Sequence, residues 1–146
     1  MKSIFDTNSR EALIQRIKTL KDSNKRQWGT MSVYQMVKHC RLWEEMMLGK
    51  TVYKRAFLGR LFGRIALRNE LKDAPMRRST PTIPELKISG NGILAEEIEK
   101  WIQLLQEYGK YKEQQLIHPF FGSMTKEQIG YMAYKHTDHH LRQFNA

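Results

Sequence analysis

Apolar residues recur every three or four positions through most of the chain, the period of helices with one buried side; no stretch alternates apolar and polar residues as a half-buried strand would. Leu13, Ile17 and Leu20 mark a first helix from about Asn8 to Lys21, where a polar run begins. Ser32-Val33-Tyr34-Gln35 has the form of a capping box, in which serine and glutamine side chains satisfy backbone N–H groups reciprocally. It predicts a second helix from Ser32 to about Leu48, before Gly49, with His39 in its middle. A third, about Tyr53 to Asn69, carries Phe57, Leu58, Leu61, Phe62 and Ile65 on one side and Arg60, Arg64 and Arg68 on another.

Between about Leu71 and Gly92 the residues Pro75, Pro81, Pro84, Gly90 and Gly92 interrupt helical structure, because proline lacks an N–H and restricts the residue before it. A connection this long often serves as a lid or binding loop. The next helix, about Ile93 to Leu116, keeps Leu94, Ile98, Trp101, Leu105 and Tyr108 in register. After a turn at His118-Pro119-Phe120-Phe121-Gly122, a second capping box, Thr125-Lys126-Glu127-Gln128, starts a last helix reaching about Gln143. The expected fold is a single all-α domain over residues 1–146, with four principal helices in a bundle, an additional short helix and a long irregular loop.

Composition narrows the class. With 146 residues, 40% hydrophobic and 27% charged, the chain is long enough for one real core and not for two. The single cysteine, Cys40, forms no internal disulfide and suits a reducing compartment. The first residues lack the apolar run of a signal peptide and no apolar stretch is long enough to span a bilayer, so the expectation is a cytoplasmic protein without a membrane partner. The net charge of +10 is concentrated: nine cationic residues stand against two acidic ones from Lys50 to Arg78, an excess of +7. A basic stripe of this kind is the minimal footprint of a nucleic-acid or other acidic partner, although most charged stripes are only solvated faces and this one lacks interleaved exposed aromatics. Gly59 and Gly63 cost helix propensity, which close packing or a kink would explain.

The candidate chemistry lies in His136-Thr137-Asp138-His139-His140. Imidazoles four residues apart lie one helical turn apart on nearly the same side, a chelating arrangement for one metal ion. Ile129, Ala133, His136 and His140 form one stripe, so the pair faces inward, while His139 points about 100° away. Two imidazoles call for a third ligand from a facing helix, and His39, with Gln35, Leu42, Trp43 and Met46 on its side of the second helix, is the natural candidate. Against this, a lone inward histidine is usually a hydrogen-bonded core residue, and an HxxxH pair also arises by chance. His118, before Pro119, suits a structural role or the pocket rim. Gln143 can reach the ligand side as an outer hydrogen-bond partner, or face solvent. Gln35, Trp43 and His118 are further candidates to border the pocket; Trp43 is equally a core aromatic. Asp138 suits an ion pair and Cys40 a small buried hydrophobe.

Gln35-Met36-Val37-Lys38-His39 on an early helix, with His136-Thr137-Asp138-His139-His140-Leu141-Arg142-Gln143 at the end, resembles the DinB/YfiT-like superfamily of metal-dependent enzymes. His118-Pro119-Phe120-Phe121-Gly122-Ser123-Met124-Thr125, followed by Tyr134-Lys135-His136, is similar to an uncharacterised branch of it. The resemblance covers essentially the whole chain. It implies a four-helix bundle, a divalent ion such as zinc or nickel on His39, His136 and His140, and frequent homodimers.

Relatives in that superfamily include transferases and isomerases that use low-molecular-weight thiols, so the resemblance implies a metal-dependent thiol transferase acting on a small-molecule substrate. A metal-dependent hydrolase is the alternative, since an open coordination position would serve water as well as a thiol. A non-catalytic binding module, with the basic helix directed at nucleic acid or another acidic partner, is the reading from a different class.

Overall fold

The computed structural model describes residues 1–146. Its helices are α1 (Thr7–Lys18), α2 (Val33–Met47), α3 (Phe57–Glu70), α4 (Leu94–Glu107) and α5 (Lys126–Gln143), and a hairpin of β1 (Gln115–His118) and β2 (Gly122–Thr125) precedes α5. Both capping boxes form: Ser32 and Gln35 close the start of α2, Thr125 and Gln128 that of α5. Helices α1, α2, α4 and α5 pack on one another. Their inward stripes build a core in which Leu13, Ile14, Ile17, Met36, Trp101, Leu105, Tyr108 and Phe144 are all at most 1–2% exposed. No helix is long and apolar enough to cross a membrane.

The purely α expectation is corrected by the hairpin. Its strands are antiparallel, with Gln115 opposite Thr125 and His118 opposite Gly122. Four residues per strand are too few for alternation to register, and Gly122 at φ +83° makes the turn that His118-Pro119-Phe120-Phe121 enters. The helix expected to reach Leu116 ends at Glu107 and passes through a 3-10 turn at Tyr108–Lys110. Beyond Tyr108, Gly109 lowers helix propensity and Lys110, Lys112, Glu113 and Gln114 offer little to bury.

Helix α3 packs by its small residues. Gly59, Gly63 and Leu67 are its buried positions, and a Cβ on either glycine would fall on the Phe120 carbonyl of the hairpin turn. The glycines thus serve the close packing expected of them, against a turn and not a second helix. The Ala56 amide donates to the Pro119 carbonyl at 3.0 Å and the Arg64 guanidinium to the Ser123 carbonyl at 3.1 Å. The side that periodicity marks as apolar therefore faces out, with Phe57, Leu58, Leu61, Phe62 and Ile65 between 55% and 74% exposed. The expected absence of exposed aromatics among the arginines is corrected by Phe57 and Phe62.

The loop between α3 and α4 contains a 3-10 turn, Pro84–Leu86, started by its proline. Leu86 is buried in the core and anchors this loop beside α2.

Candidate metal centre

The stripe of α5 that carries Ile129 and Ala133 continues into His136 and His140; all four are buried, and the two histidine rings lie beside His39 of α2. Each of His39, His136 and His140 offers a nitrogen, and the three lie within 4.8 Å of one another. Nε2 of His39 and Nε2 of His136 are 3.3 Å apart. Two ligand nitrogens each about 2.0–2.1 Å from one tetrahedral ion stand at roughly that separation.

Neighbouring groups orient two of the rings. Nδ1 of His39 lies 2.9 Å from the Leu86 carbonyl, which can only accept, so this nitrogen carries the proton and Nε2 keeps its lone pair. Nδ1 of His140 lies 2.9 Å from Oε1 of Gln143, whose Nε2 in turn donates to the Trp28 carbonyl at 3.0 Å. That second bond fixes the amide orientation, hence the His140 proton on Nδ1 and a free lone pair on Nε2. The His136 ring stacks on Trp43, with centroids 4.1 Å apart and planes at 15°. Its buried Nδ1 has no hydrogen-bond partner. Burial lowers the pKa of all three imidazoles; for His136 and His140 the neighbouring histidines lower it further, whereas the Leu86 bond partly opposes the shift at His39. The rings are thus held neutral, the protonation state a metal requires.

Among the other candidates, Gln143 is 3% exposed and holds His140, as an outer partner would. Trp43 covers one side of His136. Gln35 spends its amide elsewhere, accepting from the Ser32 amide and donating to the Gly90 carbonyl at 3.1 Å. His118 is buried at the end of β1, where Nδ1 accepts from the Phe120 and Phe121 amides, a structural role in the turn. Burial and the nearby Arg55 charge push its pKa down to about 3. His139 stands outside the cluster, its ring 5.4 Å from that of Trp28. Asp138 pairs with Arg16 at 2.6 Å and Arg142 at 2.8 Å. Cys40 is fully buried and its thiol is pushed well up by desolvation and by Glu44.

Residues 2–146 match the model of a family described as "Protein of unknown function (DUF1569)". The chain belongs to the DUF1569 family. No curated protein and no solved structure matches it. In this DUF1569 chain two orienting groups escaped the sequence reading, the carbonyls of Leu86 and Trp28. Backbone oxygens carry no side-chain signature, although the loop holding Leu86 did announce itself by its length.

Proposed function

We propose that this DUF1569 protein binds one divalent metal ion on His39, His136 and His140 and uses it for thiol transfer to a small electrophilic substrate. The observation that carries the metal reading is the outer layer: two of the three imidazoles have their protons drawn outward, by Leu86 and Gln143, leaving Nε2 free on each within a cluster whose three ligand atoms lie within 4.8 Å of one another. Free lone pairs on Nε2 of His39 and His140, beside Nε2 of His136, are satisfied together by one cation, whereas a proton on His136 Nε2 can serve only one of them. An unpartnered Nδ1 on His136, which is costly when buried, is consistent with a ring held for its other nitrogen.

The donor set suits zinc or nickel, imidazole being a borderline ligand for both. With three protein nitrogens a coordination position stays open, and the ion would lower the pKa of a thiol or a water placed there. Leu86 and Gln143 hold the rings in place, Trp43 restricts the His136 ring to one plane, and the surrounding core keeps solvent sparse. A thiol supplied from outside is favoured because the chain's own single thiol is buried and held protonated. Hydrolysis is the alternative at the same site. The packing of α1, α2, α4 and α5 and the order of the histidine motifs support a four-helix bundle of the DinB/YfiT-like type.

The first test is metal analysis of protein purified without an affinity tag. One equivalent of zinc or nickel in the wild type, lost in His136→Ala, is the expected result. Absence of any bound divalent ion, and no uptake on dialysis against zinc or nickel, would defeat the proposal.

A further inference from the structure

A soluble protein rarely turns five large apolar side chains of one helix to solvent. Helix α3 does so: Phe57 is 74% exposed, Leu58 60%, Leu61 58%, Phe62 55% and Ile65 61%. At 3.6 residues per turn these five share one side of the helix, roughly opposite Gly59, Gly63 and Leu67. The exposure has a structural cause, because only the glycine side can approach the Phe120 backbone. The bulky side is left over for something outside the chain.

Arg60, Arg64 and Arg68, all exposed, run along one flank of that apolar side at four-residue intervals. The first acidic residue of α3 is Glu70, its last position, and the flanking segments add the exposed Lys54, Lys72 and Arg77 against Asp73. An apolar side with a cationic flank is the pattern of a helix that lies in the plane of a membrane surface, its apolar residues at the level of the acyl chains and its cations among anionic headgroups. We infer that α3 is a peripheral docking helix for an anionic lipid bilayer. The sequence-based expectation of no membrane partner rested on the lack of a spanning segment, which a helix lying on the surface does not need.

Charge separates this occupant from the alternatives. An antiparallel two-fold pairing of α3 with a second copy would set both arginine ladders on the same side of the seam, and each copy already carries +10. A single-stranded nucleic acid would use the arginines and stack on Phe57 and Phe62, yet gains nothing from Leu58, Leu61 and Ile65, which have no aromatic surface for a base. A bilayer uses both halves of the face.

The experiment is cosedimentation of the full-length protein with phosphatidylcholine vesicles, with and without a phosphatidylglycerol fraction, at low and high salt. Binding is expected only to the vesicles containing phosphatidylglycerol, weakening as salt rises. Leu61→Ser combined with Phe62→Ser, exposed positions whose change should leave the fold intact by circular dichroism, should lower partitioning by about tenfold or more. Arg60→Gln combined with Arg68→Gln should lower it by roughly tenfold for the anionic vesicles. Lack of binding to phosphatidylglycerol vesicles, or binding unchanged in the Leu61/Phe62 variant, overturns the inference. So does a wild-type dimer in sedimentation equilibrium that the Leu61/Phe62 variant dissociates, or retention on single-stranded DNA that matches the vesicle affinity and is lost in the same variant.

Discussion

His39 and His136, 97 residues apart in sequence, bring their Nε2 atoms to 3.3 Å of each other in the buried space between α2 and α5. Under the proposed metal binding, removing either ring removes one ligand of the same ion. His39→Ala is expected to lower zinc or nickel affinity by several orders of magnitude and to abolish the metal-dependent rise in Tm, since an ion that binds only the folded state stabilises it. His139→Ala, changed at a neighbouring ring outside the cluster, should keep both. Isothermal titration and thermal melts with and without the metal read the difference; equal uptake by His39→Ala and wild type would remove His39 from the ligand set.

Gln143 tests the outer layer. Gln143→Ala frees the His140 ring and leaves the Trp28 carbonyl without its donor. Metal affinity should fall about 10–100-fold while stoichiometry stays at one ion. Competition with a chromophoric chelator measures it, and an unchanged affinity would mean that packing alone orients His140.

Glu44 predicts a pH dependence. This carboxyl is fully buried on α2, accepts hydrogen bonds from Tyr108 and Thr137, and has its pKa pushed up to about 8 by desolvation, which outweighs those bonds. Because the folded state holds the proton more tightly than the unfolded state, stability from this group is full below about pH 4.5 and declines as pH rises towards 8. His39, His136 and His140 act oppositely, their lowered pKa values making stability grow as pH rises to about 6.5. Glu44→Gln should cancel only the first effect. The stability gap between variant and wild type should thus shift in favour of the variant with rising pH, by a total on the order of 5 kcal/mol. Urea denaturation of both proteins from pH 5 to pH 8.5 is the measurement, and a gap independent of pH would refute the account.

Gly63 offers a test by sign. In an exposed helix Gly→Ala stabilises by about 1 kcal/mol. Here the added methyl meets the Phe120 carbonyl, so Gly63→Ala should destabilise by roughly 1–3 kcal/mol. Denaturation midpoints compared with Ala66→Gly in the same helix give the contrast: a stabilised Gly63→Ala protein would mean that the turn gives way easily.

Much of this molecule is local and was readable from the chain. The capping boxes at Ser32 and Thr125 and the four-residue spacing of His136 and His140 depend on neighbours within one helical turn, and the structure reproduces them. The same periodicity put His139 to one side and Gln143 within reach of His140. The hairpin went unread because strands of four residues leave no usable period, and the helix before it stops ahead of Gly109 and the exposed Lys110, Lys112, Glu113 and Gln114.

Tertiary structure alone decided which side of α3 packs. Periodicity identifies an apolar side, but the glycine side wins because a backbone turn at Phe120 can approach only where there is no Cβ. Tertiary structure also decided that His39 reaches the α5 pair and that the Leu86 and Trp28 carbonyls orient the site, since contacts between distant segments follow from how the core closes. By itself the sequence determined roughly where the helices lie, the capping boxes of α2 and α5 and an inward histidine pair on α5; the fold made that pair a cluster of three, and left an apolar helix face uncovered.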